Sequence, residues 1–209
     1  MKNKKTECCV ESRILEAAKS VFIRDGLDVA SMGGIAREAG ITRTSLNYYF
    51  RTKEKLFAAV YNGIVHDFLP AIEAAALCNK PVFERIEEIV GIYTKMLLKN
   101  PGIVLFIANE SGKNPERYFE ILASSPKILA SAKRIGAEIK RNMDEGKLRK
   151  MPLEYFATTF LGLLFFPFLG KNIISGIFFK GDGRRFNKFA LQRQAFVVES
   201  IKSIFSPKK

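Results

Sequence analysis

The sequence predicts an all-α protein built in two parts, and three observations carry that expectation. Apolar residues recur three and four positions apart through most of the 209 residues, as in Phe83, Ile86, Val90, Tyr93 and Leu97. The runs are punctuated by helix stop and start residues: Gly26, Gly40, Pro81, Asn100-Pro101, Pro126, Gly146 and Pro152. There is no strand alternation of note, no internal repeat and no low-complexity block. A head of three short helices, residues 8–65, is expected to precede a larger helical domain, residues 66–209.

Met1 to Thr6 is polar and basic and reads as a loose tail. The first helix is expected from Glu11 to Asp25, with Ile14, Leu15, Ala18, Val21 and Phe22 on its inner face and Gly26 as its stop. Ser31 is placed to cap a second helix, in which Ile35, Ala36 and Ala39 form a narrow inner face of small residues. Gly40 follows where the chain must turn sharply, since glycine takes φ > 0 at no steric cost. Thr42 can cap the third helix by accepting from the backbone near Ser45. That helix turns Leu46 and Phe50 inward, while Arg43, Thr44, Ser45, Asn47 and Tyr48 suit base edges and phosphates and do not suit a core. Two short helices around a glycine turn are the layout of a helix-turn-helix, with Arg43 to Tyr49 as recognition helix. Thr52 then starts a fourth helix. Its free N–H groups, together with Lys53, suit a DNA phosphate.

Ile35-Ala36, Ala39-Gly40-Ile41-Thr42, Leu46, Tyr49-Phe50, Lys53-Glu54 and Leu56-Phe57 resemble the DNA-binding domain of the TetR (tetracycline repressor) family. The resemblance extends back to Ile14-Leu15-Glu16-Ala17-Ala18, Phe22 and Gly26, over roughly the first 65 residues. It implies an operator-binding role for the recognition helix, Tyr49 included. It further implies a phosphate contact from the hydroxyl of Ser31, a backbone anchor at Lys53, and a basic arm at Lys2, Lys4 and Lys5. Two positions depart from the family pattern. Asn47 stands where tyrosine is commonest, and Thr44 where glycine or another small residue is frequent. Both leave the fold expectation intact and the base preference open.

The helix begun at Thr52 carries Leu56, Phe57, Val60, Tyr61, Ile64 and Val65 on one stripe and is expected to run to about Leu77. Pro81 opens the amphipathic helix through Leu97. Asn100-Pro101 restarts a short apolar helix through Ala108, and Glu110 to Glu116 reads as a polar loop before a short helical piece, Arg117 to Ala123. Ser125-Pro126 opens a helix closed by Gly146. Pro152 opens the most apolar segment, uncharged from Tyr155 to Gly170, and Ile173 to Phe179 continues it or links it onward. The last helix is expected from Phe186 to Phe205, giving about six helices after the head.

The formal net charge of +13 favours an anionic partner. The excess is not concentrated in the head, where residues 1–65 hold 11 Lys/Arg and 7 Asp/Glu, so the nucleic-acid reading rests on the motif. One recognition helix reads few base pairs, and a dimer on a palindrome doubles the read length. The last two helices carry more apolar surface than one small domain can cover, so a homodimer through them is expected, as the resemblance also implies. The resemblance places a small-molecule effector among the middle helices. Aromatic character alone makes Phe106, Tyr118, Phe119, Phe160 and Phe165 the candidates to line its site.

Three cysteines, Cys8, Cys9 and Cys78, do not make a disulfide framework, and no apolar leader segment follows Met1 to Lys5, which points to a reducing cytoplasm. No cofactor and no metal are expected, because Cys8-Cys9 has no further Cys or His at ligand spacing and His66 is the only histidine. No enzyme is expected either: no Ser-His-Asp set, paired metal ligands or glycine-rich phosphate loop is present. The uncharged run is shorter than the roughly 20 residues a membrane span needs, and Pro167 interrupts it, so no membrane partner is expected. The competing reading is an all-α membrane-associated or protein-interaction module that uses the apolar C-terminal half without sequence-specific DNA binding.

Overall fold

The structure, a computed structural model, describes residues 2–113, 115–123 and 125–207, with side chains from Cys9 onward except at 110, 117, 118, 121 and 122. The described residues are helical throughout and contain no strand. They form α1 (Lys2–Val29), α2 (Met32–Glu38), α3 (Arg43–Tyr49), α4 (Lys53–Leu77), α5 (Val82–Lys99), α6 (Ile103–Lys113), α7 (Pro115–Ala123), α8 (Pro126–Asp144), α9 (Leu153–Leu169), α10 (Lys171–Phe179) and α11 (Gly183–Phe205). The side chains of Lys2, Lys4 and Lys5, the proposed basic arm, lie outside the described residues, although their backbone continues α1 where a loose tail was expected.

Helix count and boundaries differ from the sequence expectation in two places. Where a polar loop was expected over 110–116, α6 continues to Lys113 and α7 begins at Pro115. Proline suits that first helical position, since its missing N–H would be unpaired there anyway. The apolar run after Pro152 is two helices, bent by 65° at Gly170. Phe186 of α11, fully buried, fastens both helices to α11 through edge contacts with Phe168 of α9 (5.7 Å) and Phe179 of α10 (6.5 Å).

The chain divides into two compact units. The first comprises Met1–Asp67 and Phe106–Ser125, and the second Phe68–Leu105 and Pro126–Lys209. The boundary in α4 falls close to the expected one, but Phe106–Ser125, expected in the C-terminal domain, pack with the head. The reason is visible in its core. The Phe106 ring stacks on Phe22 (6.5 Å) and tilts against Phe57 (5.2 Å), and these two meet edge to face at 5.6 Å. Ile14, Ala18, Leu27, Ile35, Leu46 and Leu56 complete that core.

In the second unit α5 and α11 form the most extensively packed pair. Their Ile86, Val90, Val197, Val198, Ile201 and Phe205 bury against Met143, Leu148, Phe156, Phe160 and Leu164. Pro70 lies within α4, just beyond the boundary between the units, and cannot donate the backbone bond its position would otherwise make.

Two glycines carry the backbone of the head. Gly26 (φ 78, ψ 167) breaks α1 as the sequence predicts, and Gly40 (φ 65) makes the turn between α2 and α3. A Cβ at Gly40 would meet nothing within 4 Å, so the cost of adding one is purely that of the left-handed backbone. Gly33, inside α2, is equally open but has no such φ. Gly40→Ala is therefore expected to destabilise the head by about 1–2 kcal/mol, and Gly33→Ala to stabilise it by roughly 0.5–1 kcal/mol. Chemical denaturation of the two variants should move the head's transition in opposite directions.

Candidate nucleic-acid interface and ligand cavity

Helix α3 has two chemically distinct faces. Leu46 is fully buried and Phe50, at its C-cap, is buried behind it. Arg43, Thr44, Asn47 and Tyr48 are exposed, while Ser45 and Tyr49 are half-buried. Tyr48 is 78% exposed, unusual for so large a ring, and meets Tyr49 edge to face at 5.4 Å. The three hydroxyls expected as caps all take that role. Ser31 accepts from Gly34 N (3.0 Å), Thr42 from Ser45 N (3.1 Å) and Thr52 from Lys55 N (3.2 Å). Each keeps its O–H as a donor, which is the group a phosphate oxygen needs.

Lys53 does more than the sequence indicated. Its Nζ donates to Asp28 O (3.1 Å) and Ala30 O (3.0 Å), tying the start of α4 to the link that leads into α2. One of its three donors remains for a phosphate. Arg13 makes a second such lock, from Nη2 to Ala39 O (3.0 Å), at the turn itself. Sequence reasoning missed Arg13, because an arginine on a basic first helix looks like any solvated charge.

A short capped helix after a glycine turn, one face buried and the other polar and exposed, is a helix-turn-helix reader. Residues 14–60 match the profile of bacterial regulatory proteins of the tetR family. The match covers the head, from within α1 to the first turns of α4. A helix-turn-helix transcriptional regulator of Mycobacterium tuberculosis is 27% identical over 133 residues, which cover 63% of this chain and 55% of that protein. The matched part thus spans about half the length of that relative. Among solved structures, the TetR-family regulator PfmR from Thermus thermophilus superposes with a TM-score of 0.65 at 18% identity, over 90% of this chain and 97% of that one. The fatty acid degradation regulator FadR from Bacillus halodurans gives 0.67 at 14%, over 90% and 94%. At these identities the likeness is one of fold. The match and the geometry together assign the head as a helix-turn-helix DNA-binding domain of the tetR type.

The second unit holds a partly open cavity of about 340 Å³. Its wall is aliphatic and aromatic: α4 contributes Leu69 and Ile72, α5 Ile86 and Ile89, and α9 Phe156 and Phe160. Of the five aromatic candidates, Phe160 alone lines it. Phe165 sits one layer back, with its ring 5.6 Å from the lining Tyr93. Phe106 is enclosed in the head's core, and Phe119 belongs to the head unit and is 66% exposed. The side chain of Tyr118 lies outside the described residues. Aromatic character picks out large side chains but cannot say which unit they bury in.

The polar end of the cavity is a cluster that sequence reasoning did not identify. Arg85, 5% exposed, donates to Ala76 O (2.7 Å), Glu138 Oε1 (2.6 Å) and Asn142 Oδ1 (2.9 Å). Asn142 Nδ2 donates to Glu138 O (2.7 Å) and Glu138 Oε1 (2.9 Å), and Arg141 bonds Glu138 Oε2 from the exposed side at 2.9 Å. Arg85 Nε has no partner among the described residues. A buried unsatisfied donor costs about 1–3 kcal/mol. The signal was present: Arg85 stands three residues after Val82 and four before Ile89, on the same helical face as these apolar residues. Burial raises the Tyr93 hydroxyl to about 12, so it lines the cavity as a neutral group. Among the described residues no group of three or more His, Cys, Asp or Glu could hold a metal ion.

Burial raises the Glu138 carboxyl, but the bonds from Arg85 and Asn142 and the charges of Arg141 and Arg85 outweigh it, holding the group below its ordinary 4.5. Its contribution to stability is therefore complete above pH 4.5 and is lost as pH falls through the lower folded value. Glu138→Gln leaves Arg85 buried without its counter-charge and should cost about 3–5 kcal/mol at pH 7. The gap between the two proteins should close as pH drops below 4.5, in urea melts run from pH 7 to pH 3. In the head, Lys53→Met removes both carbonyl bonds and should cost about 1–3 kcal/mol. If the remaining donor meets a phosphate, the salt dependence of DNA binding should also fall by about one ion.

Proposed function

We propose that the chain is a TetR-family transcriptional regulator, a homodimeric repressor released from a palindromic operator when a small-molecule effector occupies the cavity of the second unit. The observation that carries this reading is the dual role of α4. Its first turn holds the Lys53 lock of the reading head, and its later residues Leu69, Ile72 and Ala76 wall the cavity. A ligand that displaces those residues acts on the helix whose first turn belongs to the head. Binding would favour dimer states whose two heads do not both fit the groove. Arg43, Thr44, Ser45, Asn47, Tyr48 and Tyr49 are the base- and backbone-contacting set in this reading, with Ser31, Thr52 and Lys53 on phosphates.

The dimer is supported by what the second unit leaves uncovered. Tyr155, Phe166, Ile173, Ile177, Phe178 and Phe196 of α9, α10 and α11 are each 63–69% exposed. Tyr155, Thr158, Gly162, Phe166 and Leu169 are exposed at spacings of 3, 4, 4 and 3, a continuous helical stripe. Soluble chains rarely leave so much apolar surface in water. No single described helix is long and apolar enough to cross a membrane, although the bent pair α9 and α10 passes by length and composition together. A second copy of the chain is the better cover. A dimer also supplies the second head that a palindrome requires, and a cytoplasmic site of action goes with it.

Selection from random duplex DNA should enrich an inverted repeat with half-sites about 10 bp apart or a multiple of that. Failure to enrich any sequence would sink the operator reading. Sedimentation in detergent-free buffer should give twice the chain mass, and Ile177→Glu/Phe178→Glu should give monomer with operator affinity reduced at least tenfold. Detergent-dependent solubility with binding to lipid vesicles would favour the membrane-associated alternative.

A further inference from the structure

We infer that Arg193 is a positioning residue for the dimer face: its guanidinium supplies the hydrogen bond that Pro167 withholds from Leu163, and so holds the end of α9 to α11 in the form that a second copy of the chain meets. The inference rests on the dimer reading given above and names a contact that shapes its surface.

Proline at 167 leaves a carbonyl without its usual donor. In an α-helix the Leu163 carbonyl accepts from the N–H four residues on, and Pro167 has none. The proline ring also crowds that carbonyl. Yet α9 does not stop there. It runs on to Leu169, and Pro167 itself is buried. The Leu163 carbonyl is met by Arg193 Nη1, from the middle of α11, at 2.7 Å. The bond joins residues 30 positions apart, so it ties two helices together where a regular helix would tie only itself.

Nothing else in its surroundings accounts for an arginine at this place. Arg193 is half-buried, and burial pulls its guanidinium below its ordinary value. Leu163 O is its one hydrogen-bond partner among the described residues, and no carboxylate among them offsets its charge. An apolar side chain would pack between α9 and α11 without that desolvation. The carbonyl is what the arginine serves.

The bond lies amid the surface assigned to the partner. Leu163 stands between Gly162 and Phe166 of the exposed α9 stripe, and Arg193 between Leu191 and Phe196, two exposed apolar residues of α11. Phe166 and Leu169, and beyond Gly170 the whole of α10, follow the carbonyl that Arg193 holds. The ring of Phe168 on Phe186 fastens the end of this segment, and Arg193 fastens it about one turn earlier. Close-packed apolar faces tolerate little displacement. In a two-fold dimer any displacement occurs on both copies.

The test is sedimentation equilibrium of the full-length chain and its variants, with circular dichroism to confirm folding. Arg193→Met removes the donor and should raise the dimer dissociation constant about tenfold or more. Pro167→Ala gives Leu163 O a backbone donor of its own. In that background Arg193→Met should lose its effect, leaving the double variant within about threefold of Pro167→Ala. An arginine that matters only through its own packing would be missed equally in both backgrounds. Dimerisation of Arg193→Met as tight as that of the natural chain would overturn the inference, and so would a double variant as weakened as the single one. If Arg193→Met does not fold, the comparison of Pro167→Ala with the double variant decides by the same criterion. A natural chain that stays monomeric at every concentration would remove the dimer reading itself, whereas a dimeric natural chain indifferent to Arg193 removes this inference alone.

Discussion

The second unit is built around one buried positive charge. A guanidinium that is 95% buried must be met by acceptors, and the three it has come from two other helices: Ala76 at the end of α4, and Glu138 and Asn142 on α8. Arg85 itself stands on α5. The register of these three helices is therefore specified by hydrogen bonds as well as by apolar packing, which tolerates sliding more readily. Asn142 is what closes the arrangement, since it accepts from Arg85 and donates to Glu138 at once. Glu73 makes a second polar tie between α4 and α8, accepting from Ser131 (2.7 Å) and from Arg134. The cavity opens beside a polar cluster that is held rigidly, which is what a binding site for a small molecule requires.

The head solves a different problem. Helices α2 and α3 are seven residues each, far shorter than the roughly 12–15 at which an isolated helix is even marginal in water. They persist because each is capped by a hydroxyl and each gives its apolar residues, Ile35 and Leu46, wholly to the core. Backbone carbonyls left over at the link and the turn are taken by Lys53 and Arg13. The reading face can then be entirely polar, since nothing on it is needed for folding. Phe106, brought in by a segment far along the chain, closes the core behind Phe22 and Phe57.

The apolar run of α9 is divided between two uses. Phe156, Phe160, Leu164 and Phe168 repeat every four residues and are buried in the unit's own core, while Tyr155, Phe166 and Leu169 face outward. A helix that is apolar on every side needs cover on every side. The chain itself supplies only half of it, and the proposed second copy supplies the rest.

The helix-turn-helix was legible because its determinants are local. Caps at Ser31, Thr42 and Thr52, the left-handed turn at Gly40 and the inward Leu46 each depend on residues within one turn of helix, so spacing alone exposes them. The helical class was legible for the same reason. What the sequence left undetermined depends on residues distant in the chain. The two helices that bend by 65° at Gly170 meet on Phe186 of α11, and the placement of Phe106 and Phe119 with the head cannot be read from their own neighbourhood. The cavity is the clearest instance. Glu138 and Asn142 lie 53 and 57 positions from Arg85, and only tertiary packing turns an odd charge in an apolar stripe into the polar end of a cavity. Sequence by itself determined the helices and the reader, because local backbone and capping chemistry suffices for them. Tertiary structure decided the cavity and its polar end, because a buried charge is defined by the partners that fold around it.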